Sequence, residues 1–413
     1  MQLNEFIQNL PENGLTVSKR ISDYLGVSSS EILIDLRQER MNMALPEGVS
    51  EAMKQAVEEI SRPFGIRLNA PWRGYESLRK AVSERIDRFG ATVSEEDIFI
   101  TAGAESAQNA VSSLFGAENT VLLPDPGLRS VVYLQQCAGR NLSFYRCCES
   151  NGFCPLPQGE EADLVFLSSP DPVTGTALDR ETLQSWVDWA NETDAVLIYD
   201  SSLSDYLEGE EYPRSIYEMA GAKTCAVELF SFEKGYGIGE LKVAYVVIPA
   251  SLSRHGVPLR KLWCAEQFSA AVPADYVMQR AAEALCSREL GEETKKLFHR
   301  IKKVARTLSE GLTRAGIEHV GGKMAPYLWA KCPEEMNSWQ CFDRILEHGS
   351  CVVIPGSQYG WGGERHFRLS AFGLPEEAAE AMERFQTLFG NREAPEGEES
   401  HREEVEKHLF ETL

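Results

Sequence analysis

The sequence is short of positive charge and has no long apolar run. It contains 41 lysines and arginines against 63 aspartates and glutamates among 413 residues, which is a net charge of −22. A surface this acidic repels phosphate backbones and anionic lipids, so we expect neither a nucleic-acid partner nor a membrane partner. No run of about 18 apolar residues occurs, and the sequence therefore predicts no membrane-spanning helix.

Patterns typical of metal sites and disulfide scaffolds are also absent. The ten cysteines form no C-x-x-C pair, and the seven histidines form no H-E-x-x-H motif, so we expect no metal ion. The first residues show no basic region leading into an apolar segment, and a chain of this length can bury a core without disulfides. These features predict a cytoplasmic protein with reduced thiols.

Short apolar segments alternate with amphipathic segments between about residues 50 and 280, and no period of 20 to 50 residues repeats. Strands that are apolar on both faces and separated by helices are typical of a parallel sheet covered by helices. Strands are predicted at 97–101, 120–123, 164–168, 195–199, 226–231 and 243–248. Helices are predicted at 105–115, 180–191 and 213–220. This part of the chain therefore predicts an α/β fold.

The remainder of the chain predicts a second, smaller α+β unit. A long helix is expected at 279–315, short strands at 327–331 and 351–355, and further helices at 339–348 and 375–389. The last 23 residues carry eight glutamates against three lysines and arginines, which indicates a solvated acidic tail. We expect an N-terminal arm and part of the small domain at 1–48, a large domain at 49–285, a small domain at 286–390 and a tail at 391–413.

Two polar residues follow predicted strands at their carboxyl ends, the edge where ligands bind in open α/β sheets. Asp200 comes directly after the strand at 195–199, and its buried carboxylate would need a cationic or hydrogen-bonded partner. It could also simply cap the next helix. Lys234 follows the strand at 226–231 and has glycines behind it, a setting in which a lysine can act as a Schiff-base amine, although a solvated surface lysine is the alternative.

Small residues also open a helix after the strand at 97–101. The segment Thr101-Ala102-Gly103-Ala104 leads into the helix that includes Glu105, and free N–H groups at a helix start suit a phosphate. Many tight turns between a strand and a helix have the same composition. The motif alone therefore does not specify a ligand.

The order and spacing of these motifs, together with SSPDPVTG at 168–175, resemble the fold-type-I, class I and II aminotransferases that use pyridoxal 5'-phosphate. The resemblance extends over 34–389. Within that family, the sequence is similar to the LL-diaminopimelate aminotransferase subgroup. The segments that carry it are RGYESLRKAV at 73–82, SFEKGYGIGELKVAYVVIP at 231–249 and PGSQYGWGGERHFRLSAFG at 355–373.

This resemblance implies a large cofactor-binding domain, with a mostly parallel sheet sandwiched by helices, and a smaller α+β domain. It also implies a homodimer in amino-acid metabolism that moves an amino group from an amino acid to a 2-oxo acid. Lys234 matches the Schiff-base lysine, which is also the proton carrier. Asp200 matches the carboxylate that pairs with the pyridine nitrogen of the cofactor. Arg368 matches the arginine that binds the substrate α-carboxylate.

The same resemblance implies a phosphate-binding group for the cofactor. The matching residues are Gly103, Ala104, Glu105, Ser231 and Lys242. Lys242 stands where the family has an arginine, so it supplies a point charge in place of a planar fork.

Other positions depart from the family pattern. Pro172 replaces the asparagine, and Leu203 the tyrosine, that hydrogen-bond the phenolic oxygen of the cofactor, and we expect their loss to raise the pKa of the cofactor Schiff base. Leu128 replaces the aromatic residue that stacks on the ring, and Asn69 replaces a tyrosine from the neighbouring subunit. The substrate loop at 36–40 reads L-R-Q-E-R where the subgroup has L-G-x-G-D.

Three hypotheses remain open from the sequence. The first is an aminotransferase, or a related pyridoxal enzyme such as a lyase, with a rebuilt pocket; the retained Lys234, Asp200, Ser231 and Arg368 favour it. The second is a protein of this fold that binds cofactor weakly or not at all, which the departures favour. The third is a regulatory module, which the acidic charge and the short segment before Ile34 disfavour.

Overall fold

The computed structural model describes residues 13–27, 32–41, 44–62, 71–159, 161–270, 273–287 and 291–390. The predicted acidic tail and Asn69 lie outside the described residues.

The described residues form twelve helices and fifteen strands, apart from short 3-10 turns. The helices are α1 (Asn13–Val27), α2 (Glu47–Ser61), α3 (Glu76–Asp87), α4 (Ala104–Ser113), α5 (Arg129–Cys137), α6 (Arg180–Thr193), α7 (Phe232–Tyr236), α8 (Leu259–Ala270), α9 (Tyr276–Cys286), α10 (Gly291–Arg314), α11 (Ser338–Gly349) and α12 (Pro375–Phe389). The strands are β1 (Ile34–Asp35), β2 (Ile98–Thr101), β3 (Thr120–Asp125), β4 (Asn141–Arg146), β5 (Leu164–Ser168), β6 (Val196–Asp200), β7 (Ala226–Ser231), β8 (Ala244–Val247), β9 (Ser253–Arg254), β10 (Val257–Pro258), β11 (His319–Gly321), β12 (Tyr327–Lys331), β13 (Cys351–Val352), β14 (Ile354–Pro355) and β15 (His366–Ser370).

A seven-stranded sheet with the order β2-β8-β7-β6-β5-β3-β4 organises the larger part of the molecule. Strand β8 is antiparallel to both of its neighbours, and the other pairs are parallel. The predicted α/β class with a mostly parallel sheet is thus confirmed. The six predicted strands are present, whereas β4 was missed because its sequence, NLSFYR, has exposed ends and no continuous apolar run.

Residues on the two faces of this sheet belong to two separate cores. Leu122 and Leu197 pack in one cluster, whereas their neighbours Leu123 and Ile198 pack in the other with Trp263. Successive side chains of a strand point to opposite faces, so a strand covered on both sides must be apolar at every position. This is the physical reason for the uniformly apolar segments in the sequence.

The predicted helix at 213–220 is wrong. The structure has one 3-10 turn there, Ile216–Glu218, and a second turn, Ala222–Thr224, follows the predicted range. The Glu218 side chain accepts hydrogen bonds from the backbone N–H groups of Arg214 and Ser215, and Met219 is extended, with φ −87° and ψ 137°. An extended residue directly after the first turn prevents an α-helix from continuing.

A four-stranded antiparallel sheet with the order β11-β12-β15-β14 forms the smaller part. Helix α12 packs against α10 and α11, and the N-terminal strand β1 pairs in parallel with β13. The helix expected over 279–315 is divided, because α9 ends at Cys286 and Ser287 is extended. The predicted strand at 327–331 and the helix at 375–389 occur with those bounds.

The described ranges contain neither a membrane-spanning helix nor a cluster of metal ligands. No helix there is long and apolar enough to cross a membrane. No group of three or more histidine, cysteine, aspartate or glutamate side chains in those ranges is arranged to hold a metal ion.

Candidate active site

The carboxyl ends of adjacent strands bring the predicted polar residues to one edge of the large sheet. Asp200 is the last residue of β6 and Ser231 is the last residue of β7. These strands are parallel neighbours, with Asp200 opposite Leu229. Asp200 and Ser231 therefore lie near each other although 31 positions separate them in the sequence.

Lys234 lies on a short helix that Ser231 holds in place. The Ser231 hydroxyl accepts a hydrogen bond from the Lys234 N–H at 3.3 Å, and the Ser231 N–H donates to the Ser202 hydroxyl at 2.9 Å. A Cβ atom at Gly235 would lie 2.6 Å from the Ser202 carbonyl oxygen, so the turn packs directly against the backbone that follows Asp200. Glycine is required there because of this close approach.

The amine of Lys234 is available to a ligand. Its side chain is half-buried, and Nζ has no hydrogen bond or ion pair with any residue in the described ranges. A lysine held on an ordered turn with a free amine is suited to forming a Schiff base with a carbonyl compound.

A pocket that Asp200 lines combines apolar walls with carboxylates, and the residues of the Lys234 turn are not part of its lining. Its lining includes Leu128, Asp171, Pro172 and Asp200. The Asp200 carboxylate accepts one hydrogen bond from the Ser202 N–H at 2.9 Å. Burial raises the pKa of Asp171, against hydrogen bonds from its own turn and the nearby charge of Arg368. Such a pocket suits a flat ring with one basic nitrogen facing a carboxylate.

The predicted phosphate-binding residues also lie together, at the start of α4. Gly103 precedes the helix with φ +93° and provides no side-chain cap, so the first N–H groups, including those of Ala104 and Glu105, are not capped by its side chain. A Cβ atom at Gly103 would lie 3.7 Å from Cδ of Lys242 and 3.8 Å from a carboxylate oxygen of Glu105. Helix starts of this kind bind phosphate.

The charge at this end of the site differs from what the sequence suggested. Lys242 forms an ion pair with Glu233, the residue before Lys234, and the other Glu233 oxygen is buried without a hydrogen bond to the described residues. Together with Glu105, this places two carboxylates and one lysine beside the uncapped helix start. The positive charge of Lys242 is therefore neutralised before any ligand binds.

These groups fit pyridoxal 5'-phosphate. Lys234 offers an amine for its aldehyde, Asp200 a carboxylate for its ring nitrogen, and Ser231 with the start of α4 offers donors for its phosphate. The phosphate end fits less well than the other two, because Glu233 neutralises Lys242.

Arg368 lies on β15 of the small sheet and is fully buried. Its Nη1 donates to the Tyr359 hydroxyl at 2.8 Å and contacts a carboxylate oxygen of Glu39 at 3.2 Å. Its guanidinium carbon lies 3.7 Å from the centre of the Tyr327 ring. Burial opposes the charge, but Tyr359, Tyr327 and Glu39 outweigh that effect and raise the pKa of Arg368. The guanidinium is thus a permanent positive charge.

Two contacts bring the small sheet against the pocket. The N–H of Gly127, beside Leu128, donates to the Tyr359 carbonyl at 2.7 Å. A Cβ atom at Gly175, in the loop after β5, would lie 2.3 Å from the Tyr327 carbonyl oxygen. Arg368 is therefore positioned near the pocket by backbone contacts between elements far apart in the sequence.

Sequence reasoning missed four residues of this arrangement, namely Glu39, Glu233, Tyr327 and Tyr359. Glu39 and Tyr359 fall within segments that the sequence had marked, the substrate loop and the glycine-rich segment at 355–373. Their contacts with Arg368 carried no sequence signal.

Comparisons with known proteins agree with this architecture. Residues 32–385 match the family Aminotransferase class I and II. The LL-diaminopimelate aminotransferase of Agathobacter rectalis is 34% identical over 402 residues, which cover 94% of this chain and 100% of that protein. The structure of L,L-diaminopimelate aminotransferase from Chlamydomonas reinhardtii has a TM-score of 0.89 at 27% identity, with 94% and 99% of the two chains covered.

A more distant structure shows the fold alone. Aspartate aminotransferase from Thermus thermophilus, solved with maleate, has a TM-score of 0.80 at 20% identity and covers 94% of this chain and 100% of its own. The family match covers most of the chain, and the Agathobacter protein is one-third identical over nearly its whole length. The chain therefore belongs to the class I and II aminotransferases, which use pyridoxal 5'-phosphate to transfer amino groups.

Proposed function

We propose that Lys234 holds the cofactor covalently and carries the proton that moves on and off the substrate. The observation that carries this assignment is the free amine of Lys234, on a turn fixed by Ser231 at the same sheet edge as Asp200. When bound, pyridoxal phosphate supplies an electron sink for the bond broken at the substrate Cα. Asp200 keeps the ring nitrogen protonated, because an adjacent carboxylate favours the cationic form of that nitrogen.

We propose that the phosphate is bound by Ser231, Lys242 and the backbone N–H groups of Ala104 and Glu105. The Gly103 N–H, which the resemblance also assigns to the phosphate, donates to the Thr101 carbonyl at 2.9 Å. The capping of the Lys234 N–H by the Ser231 oxygen leaves the hydroxyl hydrogen to donate to an anion. The uncapped start of α4 supports this assignment, because its N–H groups and the helix dipole favour a negative ligand.

We propose that Arg368 binds the α-carboxylate of an amino acid and then of a 2-oxo acid. A planar guanidinium fixes a carboxylate in one orientation and so orients the bond to Cα that is broken. LL-diaminopimelate is the first amino donor to assay, because relatives that are one-third identical carry that name. A panel of other amino acids belongs beside it, since the loop at 36–40 departs from the subgroup pattern.

We also propose the domain boundaries and the assembly that the resemblance implies. The arm at 1–48 joins the small domain at 286–390, which the pairing of β1 with β13 supports. The large domain then spans 49–285. We propose a cytoplasmic homodimer, as the resemblance implies. Light scattering on the purified protein measures the dimer directly.

The assignment of Lys234 is tested by titrating cofactor-free protein with pyridoxal phosphate and recording the absorbance of the lysine adduct. The wild type should develop the band, and Lys234→Ala should not. Lys331→Ala, which removes a partly exposed lysine paired with Glu318, is the matched control and should resemble the wild type. A wild type that develops no band at saturating cofactor would refute the proposal, as would an unaltered band in Lys234→Ala.

A further inference from the structure

We propose that Glu39 occupies the carboxylate-binding position of Arg368 while no substrate is bound, and that a substrate carboxylate must displace it. Glu39 is then a specificity-determining residue that lowers the affinity of the site for carboxylate ligands. This inference rests on the proposed role of Arg368 as the substrate arginine.

Glu39 is carried by a loop that connects the two halves of the site. We call residues 36–41 the bridging loop. At one end, the Ser370 N–H donates to the Leu36 carbonyl at 2.8 Å, next to Arg368 on β15. At the other end, the Met41 N–H donates to the Gly237 carbonyl at 2.8 Å, directly after the helix of Lys234. The bridging loop therefore places Glu39 between the strand of Arg368 and the turn of Lys234.

The two partners of this ion pair differ greatly in burial. The Arg368 side chain is 2% exposed and that of Glu39 is 63% exposed. A buried guanidinium needs an anion nearby, and Glu39 is the one carboxylate in ion-pair contact with it among the described residues. Because Glu39 itself lies at the surface, it can turn into water without a large desolvation change.

Neutral groups keep Arg368 in place during such an exchange. The Tyr359 hydroxyl and the Tyr327 ring contact the guanidinium independently of Glu39. The Nε atom of Arg368 is buried and has no hydrogen-bond partner among the described residues. The guanidinium thus keeps a donor that Glu39 does not use.

Glu39 competes with an external carboxylate for Arg368 because Glu39 and Arg368 belong to the same chain. A carboxylate on the same chain acts at a high effective concentration, so an external carboxylate binds with lower apparent affinity than it would to a free guanidinium. A ligand without a carboxylate gains nothing from displacing Glu39. A ligand therefore displaces Glu39 only when its own interaction with Arg368 is stronger than that of Glu39.

Calorimetric titration of the cofactor-saturated protein with maleate, a dicarboxylate that has no amino group to transfer, tests this inference. Glu39→Gln should bind maleate about three- to tenfold more tightly than the wild type, the effect of losing one charged competitor. The difference should shrink as ionic strength rises, because screening weakens the Glu39 pair. Glu240→Gln is the matched control, since Glu240 pairs with Arg40 of the same loop. The maleate affinity of this variant should equal that of the wild type.

The outcomes separate this inference from the role of Arg368. Arg368→Lys, checked by thermal unfolding, should weaken maleate binding because lysine lacks the planar fork. Weaker binding in Arg368→Lys with unchanged or weaker binding in Glu39→Gln would overturn the inference and leave the role of Arg368 intact. Unchanged binding in Arg368→Lys, or no maleate binding by any variant, would refute Arg368 as the substrate arginine.

Discussion

The ammonium group of Lys242 is paired with the carboxylate of Glu233, the residue immediately before Lys234. Both residues of the pair lie beside residues that we assign to cofactor binding. Lys242 adjoins Gly103, and Glu233 directly precedes Lys234. The side chain of Lys242 is 55% exposed and that of Glu233 18% exposed. Glu233 thus neutralises the positive charge that this family offers to a phosphate at this place.

Removing that carboxylate should strengthen cofactor binding. Glu233→Gln frees Lys242 to interact with the phosphate, and we expect the affinity for pyridoxal phosphate to rise about three- to tenfold. Absorbance titration of cofactor-free protein measures the change. Glu240→Gln removes another carboxylate that is paired with an arginine at the surface, and it should have no effect. An equal or lower affinity in Glu233→Gln would show that Lys242 does not contact the phosphate.

Restoring the missing asparagine should change the titration of the bound cofactor. Pro172 lines the same pocket as Asp200, and the resemblance implies an amide donor to the phenolic oxygen at this position. Pro172→Asn should therefore lower the pH midpoint of the cofactor absorbance change by about one unit. Pro172→Ala separates the donor from the loss of the proline ring and should keep the wild-type midpoint. Equal midpoints in all three proteins would mean that other groups already bind that oxygen.

The contact between Gly175 and the small sheet should be sensitive to a single methyl group. Gly175 has φ +72°, and its added Cβ would meet the Tyr327 carbonyl oxygen at 2.3 Å, so Gly175→Ala should cost about 3 kcal/mol of unfolding free energy. Gly152 has φ +60° with nothing within 4 Å, and Gly152→Ala should cost only about 1 kcal/mol. Chemical denaturation measures both. Similar losses of unfolding free energy in Gly175→Ala and Gly152→Ala would show that the Tyr327 carbonyl moves aside at little cost.

A buried carboxyl below the site should make stability depend on pH. Glu228, in the centre of β7, accepts hydrogen bonds from Ser215, Ser201 and the Ile216 N–H. Burial raises its pKa to about 7, against those hydrogen bonds. The folded protein therefore keeps a proton on Glu228 that the unfolded chain, with a pKa near 4.5, releases. This contribution to stability is complete below about pH 4.5 and is lost as pH rises through about 7.

That contribution is about 3 kcal/mol, because the pKa of Glu228 is about 7 in the folded protein and near 4.5 in the unfolded chain. Glu228→Gln does not titrate, so its unfolding free energy should fall less steeply than that of the wild type between pH 5 and 7. Urea denaturation at several pH values measures the slopes, with Glu240→Gln as a surface control that keeps the wild-type slope. Identical slopes in wild type and Glu228→Gln would contradict the assignment.

Much of the fold could be predicted because local composition reflects burial. Six strands of the large sheet were found from their apolar segments, and Asp200 and Lys234 were placed at its carboxyl edge from their positions at the end of β6 and just after β7. The sequence did not predict the edge strand β4 or the turns at Ile216–Glu218 and Ala222–Thr224, because half-exposed strands and short turns lack a periodic apolar pattern.

The order of strands, helices and motifs was determined by the sequence alone, and with it the family. That information is local, since each motif is read from adjacent residues. Tertiary structure decided which charges meet. Lys242 is neutralised by Glu233, and Arg368 is joined by Glu39 across 329 positions. Ion pairing depends on distance and burial in space, and neither is a property of residues adjacent in the chain. The electrostatics of this site therefore emerge only on folding.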